Sequence, residues 1–282
     1  MKLSAVPQSE IFADAPDSVA SEGTVSALQP DGVKSGMILR IERGSIFDGA
    51  GLRTVVFLKG CPLRCQWCCT PESQSSAIEF AEGKTYGQEM SVEQLMAEVR
   101  KDSVFYFHSG GGLTISGGEP LLQVDFCVEL LKQALYEGIG AAMETSLSAP
   151  FIQVEKVLPY LDILYVDLKH IDPDKHKIYT GADNVRILDN IRRVDVCGRS
   201  LIIRIPLIPG INDDIATLRG MGSFCAGLKN LQCVEFLPYH RLGMDTYRKL
   251  GRDYPLSSLR PPEDEHMDTC REVIRNFVRI VR

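Results

Sequence analysis

No apolar run in this chain approaches the roughly 18 residues that a membrane-crossing helix needs. Its first residues, MKLSAVPQSEIF, lack the apolar core of a secretory signal. The expectation is a cytoplasmic protein with no membrane partner. Positive charge is not in excess either: 31 Lys and Arg face 37 Asp and Glu, for a net charge of −6. No basic stripe appears, so nucleic acid is not an expected partner. The glycine run Gly110–Gly112 is not followed by Gly-Lys-Ser/Thr, which excludes a phosphate loop. Aromatic residues make up 7% of the chain and include one Trp.

Cysteine is what the chain has in plenty. There are nine, and an odd number in a reducing compartment argues for metal or redox chemistry over a disulfide framework. Cys61, Cys65, Cys68 and Cys69 fall within nine residues of one another. Cys127, Cys197, Cys225, Cys233 and Cys270 are scattered without CxxC spacing and read as small buried hydrophobes.

Residues 1–36 carry five acidic and two basic residues and no persistent period, so they read as a disordered tail, with order beginning near Met37. Residues 37–282 read as one domain. Six short apolar runs suggest strands buried on both faces: Thr54–Lys59, Leu113–Ser116, Ile139–Glu144, Ile163–Leu168, Leu201–Leu207 and Cys233–Leu237. Helical patterns alternate with them. Ser91 to Gln94 reads as a capping box, Val124–Tyr136 as a helix ending near Gly138, and further helices are expected near 150–160, 186–196, 214–228 and 263–280. Six βα units predict an α/β fold, a partial (β/α)6 barrel of parallel strands, since a closed eight-unit barrel needs about 250 residues. Polar and metal-capable residues gather at the C-terminal strand ends, the edge where parallel α/β folds carry their sites.

The loop after the first of these strands reads Gly60-Cys61-Pro62-Leu63-Arg64-Cys65-Gln66-Trp67-Cys68-Cys69. Soft thiolates favour zinc or iron–sulfur chemistry. A structural zinc site closes with four ligands, and the sequence has no second CxxC pair. Three cysteines on a four-iron cluster leave one iron open to another ligand. Cys69 as a fourth ligand is disfavoured because adjacent side chains diverge. Zinc and other thiol chemistry stay open as alternatives.

This CxxxCxxC spacing resembles that of the radical S-adenosylmethionine (radical SAM) enzymes. From about Ile41 onward the chain resembles, more narrowly, the activating enzymes of glycyl radical enzymes, such as the pyruvate formate-lyase activator. The resemblance is carried by Asp48-Gly49-Ala50-Gly51-Leu52-Arg53, Trp67 to Ser73, Ser109 to Gln123 (SGGGLTISGGEPLLQ), Tyr165 to Lys169, Arg204 to Gly210, and Leu237 to His240. It implies that Cys61, Cys65 and Cys68 hold one [4Fe–4S] cluster and that SAM chelates the open iron. One electron then cleaves SAM to methionine and a 5′-deoxyadenosyl radical, which takes hydrogen from a glycine of a partner enzyme. Cluster potentials can reach roughly −700 mV, low enough for that step.

The resemblance also implies roles for single residues. Gly117, Gly118 and Glu119 meet the methionine end of SAM, and Trp67 borders the adenine. Glu144, Thr145, Asp167 and Lys169 lie near the SAM carboxylate, where relatives also hold a monovalent cation. Glu144 stands where Asp is expected, and Cys69 where many relatives have His. Arg204 and His240 bind SAM or the incoming loop, and Asp48 faces the partner's glycine loop. Lys169, Asp48 and His240 are the residues expected closest to the chemistry. Many of these activators carry an insert with two more clusters, but between Cys68 and Gly117 the only cysteine is Cys69. A single cluster is expected, fed by a flavodoxin or ferredoxin, in a monomer. The competing readings are a radical SAM enzyme acting on a small molecule or another peptide, and a zinc-binding or redox-sensing module without turnover.

Overall fold

The computed structural model describes residues 35–282. The expected tail lies outside the described residues, except that Ser35 and Gly36 already belong to the first strand. In chain order the elements are β1 (Ser35–Ser45), β2 (Arg53–Leu58), β3 (Glu79–Ala81), β4 (Lys84–Tyr86), β5 (Gln88–Ser91), α1 (Val92–Arg100), α2 (Ser103–Ser109) and β6 (Gly112–Gly117). They continue with α3 (Val124–Tyr136), β7 (Gly140–Thr145), α4 (Phe151–Val157), β8 (Ile163–Asp167), α5 (Pro173–Thr180), α6 (Val185–Val196) and β9 (Leu201–Leu207). Last come α7 (Ile215–Ala226), β10 (Leu231–Pro238), α8 (Met244–Lys249) and α9 (Asp264–Arg275).

Eight strands form one sheet in the order β10-β9-β8-β7-β6-β2-β1-β5. From β2 to β10 the strands are parallel and follow the order of the chain. Each crossover therefore steps the same way, the winding that curls a sheet toward a barrel. β2 and β10 are not paired with each other, so the sheet stays open as a partial barrel of six parallel strands.

All six strands expected from the apolar runs are present. They are buried on both faces because helices cover one side and the barrel interior the other; Val55, Val56, Ile115, Val166, Ile203 and Ile205 are all enclosed. The capping box also forms: Ser91 Oγ accepts from Gln94 N at 3.1 Å, and Gln94 Oε1 accepts from Ser91 N at 2.8 Å.

What the sequence pattern did not reveal is mostly peripheral. β1 runs antiparallel to both β2 and β5; its second half, Arg40-Ile41-Glu42-Arg43-Gly44-Ser45, has a single apolar residue and so shows no alternation. The β3–β4 hairpin uses three-residue strands, too short for a pattern. Helix α2 buries only Tyr106, so no 3.6-residue stripe marks it.

The chain leaving β8 is held by two buried histidines. His170 Nδ1 accepts from Asp172 N at 3.0 Å. His176 Nδ1 lies 2.5 Å from the Ala182 carbonyl. Burial pushes both imidazoles below their ordinary value. Each therefore binds a proton less readily in the fold than in the unfolded chain, where an imidazole titrates near about pH 6.5. Stability in urea should fall between pH 7 and pH 5, because the unfolded state binds more protons there. Replacing both with Gln should flatten that fall; an unchanged slope would assign it to other groups.

Candidate functional site

The cysteine loop leaves the C-terminal end of β2 and is pinned by backbone bonds on three sides. Gly60 N donates to the Ser73 carbonyl at 2.7 Å, Arg64 N to Thr180 O at 2.7 Å, and Glu119 N to Gly60 O at 2.7 Å. The turn after β6 lies so close that glycine is required: a Cβ on Gly117 would stand 2.3 Å from Leu58 N, and one on Gly118 2.1 Å from Gly60 O. These glycines thus serve the approach of one loop to another.

Cys61, Cys65 and Cys68 are partly exposed and Cys69 is exposed. The first three lie within range of one another's charge and of Lys169. Burial pushes the Cys61 thiol up to about 11 and the Cys65 thiol up to about 12, so ligation there must expel protons. Among the described residues no three His, Cys, Asp or Glu side chains converge on one ion. Three soft donors set around a shared space, without meeting at a point, suit separate irons of one cluster. The residues present fit that group.

Lys169 is nearly buried, and its Nζ donates to Asp167 Oδ2 at 2.6 Å. Burial works against its charge, but the Asp167 carboxylate, joined by the Cys65 and Cys61 sulfurs once they are deprotonated, outweighs that and raises its pKa. An ammonium therefore stands beside the cysteine loop at every ordinary pH.

Glu119 is 1% exposed and fully engaged. Its carboxylate accepts from Thr145 Oγ1 at 2.5 Å, Ser146 Oγ at 2.6 Å, Ser146 N at 2.9 Å and Leu121 N at 3.2 Å. It ties the turn after β6 to the end of β7, so its side chain has little left for a ligand, and Thr145 is spent on the same bond.

Glu144, Arg204 and Glu235 make a second group inside the barrel. Arg204 Nη1 donates to Glu144 and its Nε to Glu235 Oε2 at 3.1 Å. Its Nη2 donates to the Phe47 carbonyl at 2.9 Å, and its guanidinium carbon lies 4.1 Å from the centre of the Tyr165 ring. Burial opposes the Arg204 charge, but Glu144, Asp167 and Glu235 raise its pKa. Ser116 Oγ donates to Glu144 Oε2 at 2.7 Å. Arg204 thus already neutralises the carboxylate expected beside a monovalent cation. Asp167 touches both groups electrostatically and joins them into one rim.

The remaining expected residues are distributed differently. Trp67 is 8% exposed and packs with Ile208, Ile211 and Tyr239, with Cys65 against the same cluster. It anchors the loop. Asp48 accepts from Ser45 Oγ, and its carbonyl accepts from Thr114 Oγ1 at 2.7 Å, so its loop reaches into the barrel beside Glu144. His240 is exposed, and its Nδ1 accepts from Leu242 N at 3.3 Å in a local turn.

Two contributors escaped the sequence reading. A charged residue inside the apolar run of β10 was the visible sign of Glu235. Gly243 has an ordinary φ, yet a Cβ there would stand 2.9 Å from Cys68 O and 3.0 Å from Cys69 Cα. Nothing in its sequence neighbourhood signals that contact.

Residues 55–219 match the family model described as the radical SAM superfamily. With more than half its length in that match, the chain belongs to the radical SAM superfamily. Within it, the chain groups with the activating enzymes of glycyl radical enzymes. It is 36% identical to the (2S)-3-sulfopropanediol dehydratase activating enzyme of Klebsiella oxytoca, over 80% of this chain and 88% of that protein. It is 34% identical to the pyruvate formate-lyase-activating enzyme of Clostridium pasteurianum, over 86% and 98%. A solved domain of the Bacteroides vulgatus pyruvate-formate lyase-activating enzyme superposes with a TM-score of 0.53 at 31% identity, covering 61% of this chain and 98% of that one. A radical SAM methyltransferase from Sphaerobacter thermophilus shares the fold at TM-score 0.60 and 17% identity, over 87% of this chain and 76% of that one.

Two substitutions test the site. Glu119→Ala orphans buried donors on Thr145 and Ser146, so cluster-free protein should lose about 3 kcal/mol and melt roughly 6–12 °C lower. An unchanged melting temperature with loss of the SAM response would assign the carboxylate to the ligand. Gly243→Ala should displace the Cys68–Cys69 backbone and lower the iron and sulfide retained after reconstitution; full retention would show that the loop yields at no cost.

Proposed function

We propose that this chain uses one [4Fe–4S] cluster on Cys61, Cys65 and Cys68, with SAM on its open iron, to generate a glycyl radical on a partner enzyme. The observation that carries this reading is the placement of three mutually close thiols and the Lys169 ammonium at the C-terminal edge of a partial barrel. When bound, the cluster supplies the electron that splits SAM into methionine and the 5′-deoxyadenosyl radical, which takes hydrogen from the partner's glycine.

The chain's own residues bind and orient. Lys169 presents a permanent positive charge to the carboxylate of SAM. Glu119 fixes the turn whose backbone faces the ligand's methionine end. Arg204 holds the loop of Asp48 in place from inside the barrel, and that loop meets the partner's glycine segment. Arg204 also supplies the positive charge that a monovalent cation gives elsewhere, so no separate cation is needed at Glu144. Trp67 supports the adenine side by holding the loop rigid, and His240 lies at the outer rim.

A single cluster is favoured by the alignments as well. The match to the Klebsiella protein runs over 283 positions but takes up only 80% of this chain, so that relative carries several tens of residues with no counterpart here. The match to the Clostridium protein runs over 243 positions and takes up 86%, residue for residue. Electrons then come from an external low-potential donor, a flavodoxin or ferredoxin. No described helix is long and apolar enough to cross a membrane. The reading is of a cytoplasmic monomer that admits a large protein partner.

The test is low-temperature EPR on anaerobically reconstituted, reduced protein with and without SAM. The expected result is a [4Fe–4S] signal that changes shape on adding SAM. It should be lost in Cys61→Ser, Cys65→Ser or Cys68→Ser and kept in Cys69→Ser. A zinc-loaded, silent protein would leave a structural metal module, and SAM cleavage with no glycyl radical on any partner would favour a small-molecule substrate.

A further inference from the structure

The segment that follows β10 packs against the cysteine loop at several points. Gly243 sits against the Cys68 carbonyl and the Cys69 backbone. Tyr247 lies one turn further along α8, its N–H donating to the Gly243 carbonyl at 3.0 Å. Residues four apart share one face of a helix, and their side chains lean back toward its N-terminus. The Tyr247 ring is thereby turned toward the Cys68–Cys69 backbone, and it is 6% exposed. The Cys68 and Cys65 sulfurs, once deprotonated, lie within electrostatic range of its hydroxyl.

Three tyrosines meet here, and their hydroxyls are not equivalent. Tyr247 and Tyr254 pack edge to face with ring centres 5.1 Å apart. Tyr254 Oη donates to Tyr239 Oη at 2.9 Å, and Tyr239 Oη donates to Leu256 O at 3.1 Å. Those two hydroxyl hydrogens are spent within the protein. The Tyr247 oxygen receives a bond from the Gln74 side chain, and among the described residues no acceptor takes its hydrogen. A phenol is un-ionised at ordinary pH, so this is a buried O–H donor beside two thiols that loses its sulfur-side neighbour only if the helix moves away.

The helix is fastened against such movement. Arg252 N donates to Tyr247 O at 2.9 Å. Arg252 Nη1 donates to the Pro71 carbonyl at 2.6 Å and its Nη2 to Glu79. Glu79 Oε2 also lies 3.3 Å from Lys59 Nζ, whose side chain is wholly enclosed two residues before Cys61. Lys59 Nζ in turn donates to the Glu72 carbonyl. Arg252 therefore ties the end of α8 to both the root and the exit of the cysteine loop.

We infer that Tyr247 is a positioning residue for the cluster: Arg252 and Glu79 seat it, and its phenolic O–H donates to sulfur on the Cys65–Cys68 side of the site. A hydrogen bond to sulfur stabilises the reduced, more negative state of an iron–sulfur centre. This rests on the functional reading above, and the experiment separates the two. The full-length chain is reconstituted anaerobically and titrated with reductant in the absence of SAM, reading the reduced-cluster EPR signal. Tyr247→Phe keeps the ring and removes the hydroxyl. At wild-type iron and sulfide content, its reduction equilibrium should shift about tenfold toward the oxidised state, a midpoint about 59 mV lower for one electron. An unchanged or raised midpoint would overturn the hydrogen bond.

The seating is read separately. Arg252→Gln and Glu79→Gln should each speed the loss of iron to a chelator at least threefold, and Arg252→Lys should recover part of that loss. Wild-type release rates in both Gln variants would overturn the seating. If Tyr247→Phe takes up less cluster, Glu79→Gln decides: removing a carboxylate alone would raise the midpoint, whereas unseating Tyr247 lowers it, so a raised midpoint would overturn the proposal. A wild type that takes up zinc and shows no reducible cluster would fail the functional reading itself, before any variant is compared.

Discussion

The site depends on how closely the turn after β6 approaches the root of the cysteine loop. Gly118 comes so near Gly60 that a single methyl group would collide with its carbonyl. That contact fixes the height of the cysteine loop above the sheet and delivers Glu119 to the end of β7. A buried carboxylate with four donors then locks the two strand ends together. With polar groups fully satisfied in a dry place, such a network holds one geometry firmly. The loop carrying the thiols is thereby set on a rigid platform, though it has no regular secondary structure.

The second organising element is electrostatic. Asp167 lies between two positive centres, Lys169 on the cluster side and Arg204 inside the barrel. Isolated charges at such depth would be costly. Here each has a carboxylate partner, and Arg204 adds an aromatic face and a backbone carbonyl. The same guanidinium reaches the Phe47 carbonyl, so the outer loop depends on charges whose main neighbours are in the sheet.

Much of this was legible in the sequence, for physical reasons. Strands buried on both faces show as unbroken apolar runs, and all six of the parallel strands were marked that way. The thiols declared themselves by spacing, and the polar strand ends by position. What could not be read was the allocation of side chains within the site. The bonds of Glu119 to Thr145, Ser146 and Leu121 are one such allocation. The packing of Trp67 with Ile208, Ile211 and Tyr239 is another. Which of several nearby donors an acid chooses is settled by three-dimensional neighbours. Gly243 makes the point most clearly, since its role is defined entirely by a backbone far away in the chain.

The packing of Trp67 has an optical consequence. This is the chain's only indole, it sits between two of the loop cysteines in sequence, and it shares a buried cluster with Cys65. Iron–sulfur centres absorb in the region where indole emits. Filling the loop would therefore quench nearly all the tryptophan fluorescence the protein has, and losing the metal would restore it. The molecule carries its own fluorescent gauge of cofactor occupancy, with no second fluorophore of that kind to dilute the reading.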